Sequence, residues 1–232
     1  MLDGIDGSGK GTIINAWKQY LTQQGNGIFD LEKYWLKTGA HPELSEIKSY
    51  DFVFSCEPTN VGVGQSLHDE LLKNNKNYPA ISIAHAFSLD RLILYQKILI
   101  PLLKQDRVII SDRGVSASLA YQPLQDKKLT IKKVAELPGN KLALKYAPQH
   151  LILLTVDPAA AIKRLKNRLD KQDDAIFEKL NFLKKLAKVY RSPKFLNLFK
   201  KRGTTVHFLS ANENIDIIKE QSIKLLQKIL TK

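Results

Sequence analysis

The sequence predicts an α/β fold in which a parallel β-sheet is covered by helices on both faces. Short apolar runs typical of buried strands alternate along the chain with longer stretches at helical spacing. The first apolar run leads directly into a glycine-rich loop and then a helix, as in a phosphate-binding loop. With 232 residues, 44% of them hydrophobic, the chain can bury one substantial core. We therefore predict a single domain over residues 1–232.

The glycine-rich loop has the sequence GIDGSGKGT. Glycines can adopt positive φ and let backbone N–H groups close around a polyphosphate, while the next helix adds its positive dipole end. Lys10 places a full charge beside the outer phosphates. The spacing predicts the fold of the P-loop nucleoside triphosphatases. The predicted triphosphate site consists of Gly4, Ile5, Asp6, Gly7, Ser8, Gly9, Lys10, Gly11 and Thr12.

Two features of this region depart from the usual pattern. The position after the lysine, which usually offers a hydroxyl to Mg²⁺, is Gly11. We therefore expect the metal to be held through waters and a distant carboxylate. Only Met1 and Leu2 precede the loop, where a strand of about five residues is usual. Either the chain begins late or its central strand is short.

The elements of the amino-terminal half follow from spacing and from breaker residues. Glycines at 25 and 27 end the first helix, and Pro79 precedes the longest one. In chain order we predict a helix over 11–24, a mixed segment of helix and loop over 28–50, a buried strand over 51–55, a helix over 65–73 and a long helix over 80–103.

The carboxyl-terminal half continues the alternation, and Pro158 marks a helix start. In chain order we predict a strand over 107–111, helices over 115–121 and 131–145, a strand over 151–157, helices over 159–168 and 175–190, a strand over 204–209 and a helix over 215–230.

Composition limits the partners and the compartment. The formal net charge of +13 favours anionic ligands, including nucleotides and nucleic acid. Lysines are spread from Lys18 to Lys232 rather than gathered with aromatics, so a solvated basic surface is the simpler interpretation and we do not expect nucleic acid. No apolar run approaches about 20 residues, which predicts a protein without a membrane partner. A single cysteine, Cys56, fits the reducing cytoplasm.

Two polar motifs follow predicted strands, where α/β proteins bind their ligands. Glu57-Pro58-Thr59 follows the strand over 51–55, and Asp112-Arg113 follows the strand over 107–111. A carboxylate at such a strand end, near a phosphate loop, could orient Mg²⁺ or its waters. The simpler alternative is that Asp112 pairs with Arg113 or caps the next helix.

Taken together, these motifs resemble those of thymidylate kinases, the dTMP kinases among the P-loop nucleoside-monophosphate kinases. The resemblance covers nearly the whole chain and rests on the order of the loop at 4–12, Glu57-Pro58-Thr59, Phe87-Ser88-Leu89-Asp90-Arg91, Asp112-Arg113 with Ala120-Tyr121-Gln122, and Val156-Asp157-Pro158. It implies a five-stranded parallel sheet, a small lid at about 165–175 and a homodimer. It also implies a cytoplasmic enzyme of nucleotide biosynthesis that needs Mg²⁺ and transfers the γ-phosphate of ATP to dTMP, giving ADP and dTDP.

The resemblance also implies roles for the residues that hold dTMP. Asp6 resembles the acid that accepts a hydrogen bond from the 3′-hydroxyl. Phe87 resembles the ring that stacks on thymine, and Arg91, one turn later on the same helix face, the arginine that binds a base carbonyl. Arg113 resembles the clamp on the monophosphate, and Tyr121 the ring under the deoxyribose.

Further matching positions complete the predicted site. Ser118 and Gln122 resemble base-edge positions, and Glu57 with Pro58 resembles the loop that shapes the monophosphate pocket. The implied catalytic residues are Lys10, Asp112, Arg113, Arg164 and Arg168, with Asp112 also holding the metal through water. Simpler alternatives stay open: Phe87 can be plain core, Asp6 can merely hold its loop, and Arg164 and Arg168 can lie on a solvated face.

The sequence departs from the family at several positions. Cys56 stands where an arginine often precedes Glu-Pro, Gly114 where a tyrosine follows Asp-Arg, and Asp174 where the lid carries arginine. The stretch from Lys10 to Glu57 is long, so 28–50 resembles an insertion. Two alternatives therefore remain: another P-loop nucleotide or small-molecule kinase, or a catalytically weak relative that binds nucleotides or nucleic acid.

Overall fold

A computed structural model describes residues 1–73, 77–167 and 180–231. In these residues, six parallel strands form one sheet in the order β2-β3-β4-β1-β5-β6. The α/β class and the parallel sheet are therefore confirmed. The strands are β1 Leu2–Gly4, β2 Ile28–Asp30, β3 Phe52–Cys56, β4 Val108–Asp112, β5 His150–Thr155 and β6 Thr205–Ser210.

The predicted count of five strands is wrong, because β2 forms inside the 28–50 segment. Its three residues pair with Phe52, Val53 and Phe54 of β3 at the edge of the sheet. Asp30 ends the strand and caps the following helix, accepting a hydrogen bond from the Lys33 amide at 3.3 Å. A strand this short shows no alternation that a sequence pattern could reveal.

The order of the strands places two distant motifs side by side. β1 lies between β4 and β5, with Leu2 opposite both Asp112 and Ile152. β4 also pairs with β3, where Asp112 lies opposite Cys56. The loops that follow β1, β3 and β4 therefore leave the same edge of the sheet next to one another.

Helices connect the strands and agree largely with the predicted ranges. α1 packs on α13, and α5 packs on α7 and α9. The helices are α1 Lys10–Gln23, α2 Leu31–Thr38, α3 Leu44–Ile47, α4 Gly62–Ser66, α5 Ala80–Leu94, α6 Ile100–Leu103, α7 Val115–Gln125, α8 Ile131–Glu136, α9 Pro138–Lys145, α10 Pro158–Lys166, α11 Leu180–Arg191, α12 Pro193–Lys200 and α13 Ile215–Leu230.

Three helical regions differ from the expected pattern. The predicted helix over 131–145 is two helices, because Leu137 has extended backbone before Pro138, which begins α9. α5 and α6 form one rod as predicted, but a π-helical turn at Tyr95–Leu99 joins them. α12 was not predicted.

The predicted lid at 165–175 lies outside the described residues except for its first three positions, and Arg168 lies outside them as well.

The core contains large side chains from both the expected elements and the 28–50 segment. Trp17 of α1 and Trp35 of α2 are buried, as are Phe54 of β3 and Phe195 of α12. The 28–50 segment thus contributes to the main core. Among the described helices, none is long and apolar enough to span a membrane.

Candidate active site

The loop after β1 is closed around the Lys10 side chain. Its ammonium donates to the carbonyl oxygens of Gly4 and Ile5 at 3.1 and 3.0 Å. Gly7 has a φ of 75°, and a Cβ there would lie 2.5 Å from the Ala161 carbonyl oxygen, so only glycine lets α10 approach the loop this closely. Gly9 caps α1 in a left-handed conformation. This is the backbone geometry expected of a loop that binds phosphate.

Lys10 is a buried cation with a shifted pKa. Burial lowers its pKa to about 8, and the positive charge of Arg113 adds to the shift. Both effects disfavour the charged ammonium in the free protein. A polyphosphate bound in the loop would oppose them, so anion binding and protonation of Lys10 support each other.

Asp6, Arg113 and Tyr121 form a compact polar cluster beside the loop. Arg113 Nη2 is paired with Asp6 Oδ1, and the Tyr121 hydroxyl donates to Asp6 Oδ2 at 2.9 Å. The Arg113 guanidinium also lies 5.3 Å from the centre of the Tyr121 ring. Burial raises the pKa of Asp6, but the charges of Arg113 and Lys10 outweigh it and leave that pKa below its usual value. Asp6 is therefore a carboxylate at neutral pH.

A second carboxylate, Asp3, contacts Arg113 and was not predicted from the sequence. Asp3 is fully buried and accepts hydrogen bonds from the Ser116 hydroxyl at 2.6 Å and from the Gly4 amide at 2.8 Å. Its Oδ1 also lies 3.4 Å from Arg113 Nη1. The signal available in the sequence was an acidic residue inside the apolar entry to the loop.

One cavity brings together every residue predicted to hold the monophosphate. It has a volume of about 160 Å³ and lies at the edge of the sheet from which the loops after β1, β3 and β4 emerge. Leu72, Gly114, Ala117 and Gln125 also line it. The predicted residues around it are Asp6, Glu57, Pro58, Phe87, Arg91, Arg113, Ser118, Tyr121 and Gln122.

At the inner end of this cavity, Arg91 is held by the loop after β3. Its Nε lies 2.6 Å from Glu57 Oε2, and both side chains are buried. The preceding residue, Asp90, accepts hydrogen bonds from the amide and the hydroxyl of Thr59 at 2.9 and 2.6 Å. Burial raises the pKa of Glu57, although the charge of Arg91 opposes the shift. Asp90 and Arg91 of α5 thus fasten both ends of the Glu57-Pro58-Thr59 turn.

Ser118 and Gln122 lie together at the side of the cavity. Gln122 Nε2 donates to the Ser118 hydroxyl at 3.2 Å, and both residues are buried. Gln122 Oε1 is buried without a hydrogen-bond partner in the described chain. These side chains can offer polar groups to the edge of a bound base.

Asp112 faces a second, polar cavity of about 190 Å³ beside the start of α1. Gly11, Ser55 and Asp30 also line it. Asp112 Oδ1 and the Ser55 hydroxyl are buried and have no hydrogen-bond partner among the described residues. Burial raises the pKa of Asp112, against the opposing charge of Lys10. The described residues contain no group of three or more His, Cys, Asp or Glu side chains able to hold a metal ion directly.

The remaining predicted residues lie apart from this cluster or outside the described chain. Arg164 Nη2 donates to the Ala211 carbonyl at 2.7 Å, in the loop after β6. Cys56 precedes Glu57-Pro58, and burial raises the pKa of its thiol, so the thiol stays protonated. At Gly114, the residue after Asp112-Arg113, a Cβ would lie 2.3 Å from Met1 Cε.

The chain is similar in sequence to thymidylate kinases over most of its length. A family model for thymidylate kinase matches residues 43–222. The thymidylate kinase of Kosmotoga olearia is 27% identical over 224 residues, which cover 96% of this chain and 91% of the relative. That of Acholeplasma laidlawii is 29% identical over 218 residues, covering 93% and 92%. That of Onion yellows phytoplasma is 31% identical over 188 residues, covering 76% and 84%. The family model matches more than half of the chain, and the chain belongs to the thymidylate kinase family.

Proposed function

We propose that this protein transfers the γ-phosphate of ATP to dTMP, giving ADP and dTDP, with the residues around the two sites described above. Membership of the family makes the chain a nucleoside-monophosphate kinase. One observation carries the assignment of the residues: the cavity that holds Phe87, Arg91 and Arg113 adjoins the loop that holds Lys10. Two anionic nucleotides bound there would meet end to end.

The donor would be gripped by the loop over residues 4–12. Its amides and the dipole of α1 would bind the phosphates of ATP, and Lys10 would exchange its carbonyl partners for phosphate oxygens. Thr12 stands where a hydroxyl can join this set. The rate would come from positioning and from charge, because phosphoryl transfer asks for little covalent chemistry from the protein.

The acceptor would lie in the cavity of about 160 Å³. Phe87 would stack on the base and Arg91 would donate to a base carbonyl. Arg113 would grip the monophosphate with its planar fork, while Asp6 would bind the 3′-hydroxyl. The Tyr121 ring beside Arg113 supports a role under the sugar.

No general base is needed, since an acceptor phosphate is already an oxyanion. The proposed catalytic residues hold and neutralise charge rather than move protons. Arg164 and Arg168 would act on the transferring group from the lid side. For Arg164 this requires release from the Ala211 carbonyl, at 2.7 Å in this structure.

The residues beside Gly11 fit a hydrated Mg²⁺. Among the described residues, Asp112 Oδ1 and Ser55 Oγ have no hydrogen-bond partner, and both are buried at a polar cavity. Asp30 also lines this cavity but is paired with Lys18 at 2.7 Å. Mg²⁺ keeps several of its waters, so few direct ligands are required. When bound, the ion supplies charge neutralisation between the donor phosphates. Asp112 would orient its waters from the end of β4.

We also propose a homodimer and a cytoplasmic location. Ile81, Leu89 and Ile93 of α5 are between 37 and 48% exposed, which supports a contact between two copies through this helix. Sedimentation velocity at micromolar concentration tests the dimer. The variant Leu89→Glu should sediment as a monomer, whereas a wild-type monomer would contradict the proposal.

A coupled assay for ADP release tests the function directly. With ATP and Mg²⁺, dTMP should be the preferred acceptor among dTMP, dUMP, AMP, CMP and shikimate. Strong preference for another acceptor would assign a different kinase. No dTMP-dependent release of ADP, combined with tight, salt-dependent binding of single-stranded DNA, would favour a binding protein instead.

A further inference from the structure

Arg91 is enclosed between two parts of the chain that are distant in sequence. Its Nε lies 2.6 Å from Glu57 Oε2, and its Nη1 donates to Asn140 Oδ1 of α9. The Arg91 side chain is only 1% exposed. No residue in the described chain accepts a hydrogen bond from Nη2. Nη1 is thus held by a hydrogen bond and Nε by an ion pair whose geometry is not that of a hydrogen bond, and Nη2 is left for a ligand in the cavity that Arg91 lines.

The orientation of the Asn140 amide is itself fixed. Its Nδ2 donates to the Val134 carbonyl of α8 at 2.7 Å, and Asn140 is fully buried. An arginine offers only donors, so the oxygen of the amide must face Arg91 and the nitrogen must face Val134. The two hydrogen bonds therefore require the same orientation, and an apolar side chain of equal size could make neither.

Close packing of α9 on α5 makes this contact possible. The Gly139 amide donates to the Ser88 hydroxyl at 2.9 Å, one helical turn before Arg91. A Cβ at position 139 would lie 1.8 Å from the Ser88 carbonyl oxygen. Glycine at this position therefore lets Asn140 approach the α5 helix closely enough to reach the guanidinium.

We propose that Asn140 is a positioning residue for the acceptor site, acting through Arg91. It holds the guanidinium so that a free N–H faces the ring carbonyl of a pyrimidine base. This inference rests on the proposed function, in which Arg91 donates to the base. An unanchored arginine would lose side-chain entropy each time it bound a ligand, whereas the Glu57–Arg91–Asn140 arrangement is ordered in advance.

The test is a double-mutant cycle on Arg91 and Asn140. Arg91→Ala, Asn140→Ala and the double variant are compared in kcat, in KM for dTMP and ATP, and in the Kd of dTMP by calorimetry. Ala143→Gly, a change at a fully buried position of the same helix, is the matched control for simple destabilisation of α9. Asn140→Asp keeps an oxygen toward Arg91. Asn140→Leu, which keeps the volume but lacks the acceptor, replaces the alanine variant if that variant does not fold.

We expect Asn140→Ala to raise KM and Kd for dTMP by about tenfold or more, the usual effect of losing a charge-assisted hydrogen bond, and to leave KM for ATP nearly unchanged. Asn140→Asp should recover part of the affinity, because it keeps an acceptor for Arg91 but loses the donor to the Val134 carbonyl. The double variant should match Arg91→Ala alone.

Additive effects, an equal rise in KM for ATP, or the same defect in Ala143→Gly would overturn the role of Asn140. Wild-type affinity for dTMP in Asn140→Ala would also overturn the role of Asn140, but it would leave the proposed function intact. A wild-type protein that neither binds nor phosphorylates dTMP would overturn both.

Discussion

At the scale of single residues, the site consists of buried and partly buried charges that contact one another. Lys10, Asp6 and Arg113 lie close enough to shift each other's pKa values, and Asp3 Oδ1 lies 3.4 Å from Arg113 Nη1. Each of these charges is costly to bury alone. Their contacts keep the Arg113 guanidinium in place before any ligand binds.

Replacing Lys10 by alanine tests the donor site. Because the ammonium would neutralise charge that develops on the transferring phosphoryl group, we expect kcat to fall by about a hundredfold or more. The variant should still fold, with a lower melting temperature, because the Gly4 and Ile5 carbonyl oxygens lose their donor and the nearby carboxylates lose a positive charge. Lys219→Ala, at an exposed position of α13, is the control and should retain full activity. Unchanged turnover in Lys10→Ala would contradict the role of this residue.

The lowered pKa of Lys10 predicts a pH effect on ATP binding. With a pKa of about 8 in the free protein, Lys10 is largely charged at pH 7 and largely neutral at pH 9. ATP favours the charged form, so binding near pH 8 should take up protons, and affinity should fall as the pH rises. Calorimetry at pH 8 in two buffers of different ionisation enthalpy measures the uptake. Equal apparent enthalpies in both buffers would contradict this prediction.

The lowered pKa of Lys10 also affects the stability of the fold, which should change with pH in the opposite direction to the ATP affinity. The folded pKa of Lys10 lies below the unfolded value of 10.5, so the unfolded chain binds more protons between about pH 8 and 10.5. The Lys10 contribution to the free energy of unfolding therefore rises with pH in that window.

Sequence reasoning identified most of the residues that line the cavity but missed those that hold them in place. Phe87, Arg91 and Arg113 stand in motifs whose order and spacing can be recognised. Asp3 contacts Arg113, which is more than a hundred residues away in the sequence. Asn140 contacts Arg91, which is about fifty residues away. Such pairings depend on the order of the strands and on helix packing, which no local pattern contains.

At the scale of elements, long periodic segments were predictable and short ones were not. The helix predicted over 215–230 is α13. β2 escaped prediction because it has three residues, and it adds the sixth strand. The break between α8 and α9 has a local cause, the extended backbone that precedes Pro138, and the sequence did carry that signal.

The 28–50 segment should behave as part of the core rather than as a removable loop. Trp35 of α2 is 1% exposed, whereas its neighbour Leu36 is 69% exposed. Trp35→Ala should lower the free energy of unfolding by about 3–5 kcal/mol through the cavity it leaves. Leu36→Ala should change it by no more than about 0.5 kcal/mol. Urea denaturation measures both, and equal effects would contradict the structural role of this segment.

At the scale of the whole molecule, the sheet order turns two separate motifs into one site. β1 and β4 are neighbours although more than a hundred residues separate them, so the donor loop and the Asp112-Arg113 motif share an edge. Alternation of strands and helices predicted a parallel sheet. It did not predict which strands would be adjacent, because adjacency depends on long-range packing.

A ligand that binds only the folded protein stabilises it, so each of the two proposed ligands should do so. At a concentration about 100 times its Kd, either nucleotide should add about 2.7 kcal/mol to the free energy of unfolding and raise the melting temperature. Arg91→Ala should abolish most of the shift caused by dTMP and preserve the shift caused by an ATP analogue. Thermal unfolding with each ligand measures this. Loss of both shifts would show that Arg91 acts on the fold and not on the base.

The pairing of Arg113 with Asp6 affects which ligands the acceptor cavity can bind. In the free protein the guanidinium is already occupied by a carboxylate, and that carboxylate is also held by Tyr121. A nucleotide brings both a phosphate to replace the carboxylate and a sugar hydroxyl to satisfy the carboxylate it displaces. A nucleoside without phosphate brings the sugar hydroxyl but no anion for Arg113. Its binding therefore does not replace the ion pair between Arg113 and Asp6. We therefore expect unphosphorylated nucleosides to bind much more weakly than the monophosphate, so that they are excluded before the phosphoryl-transfer step.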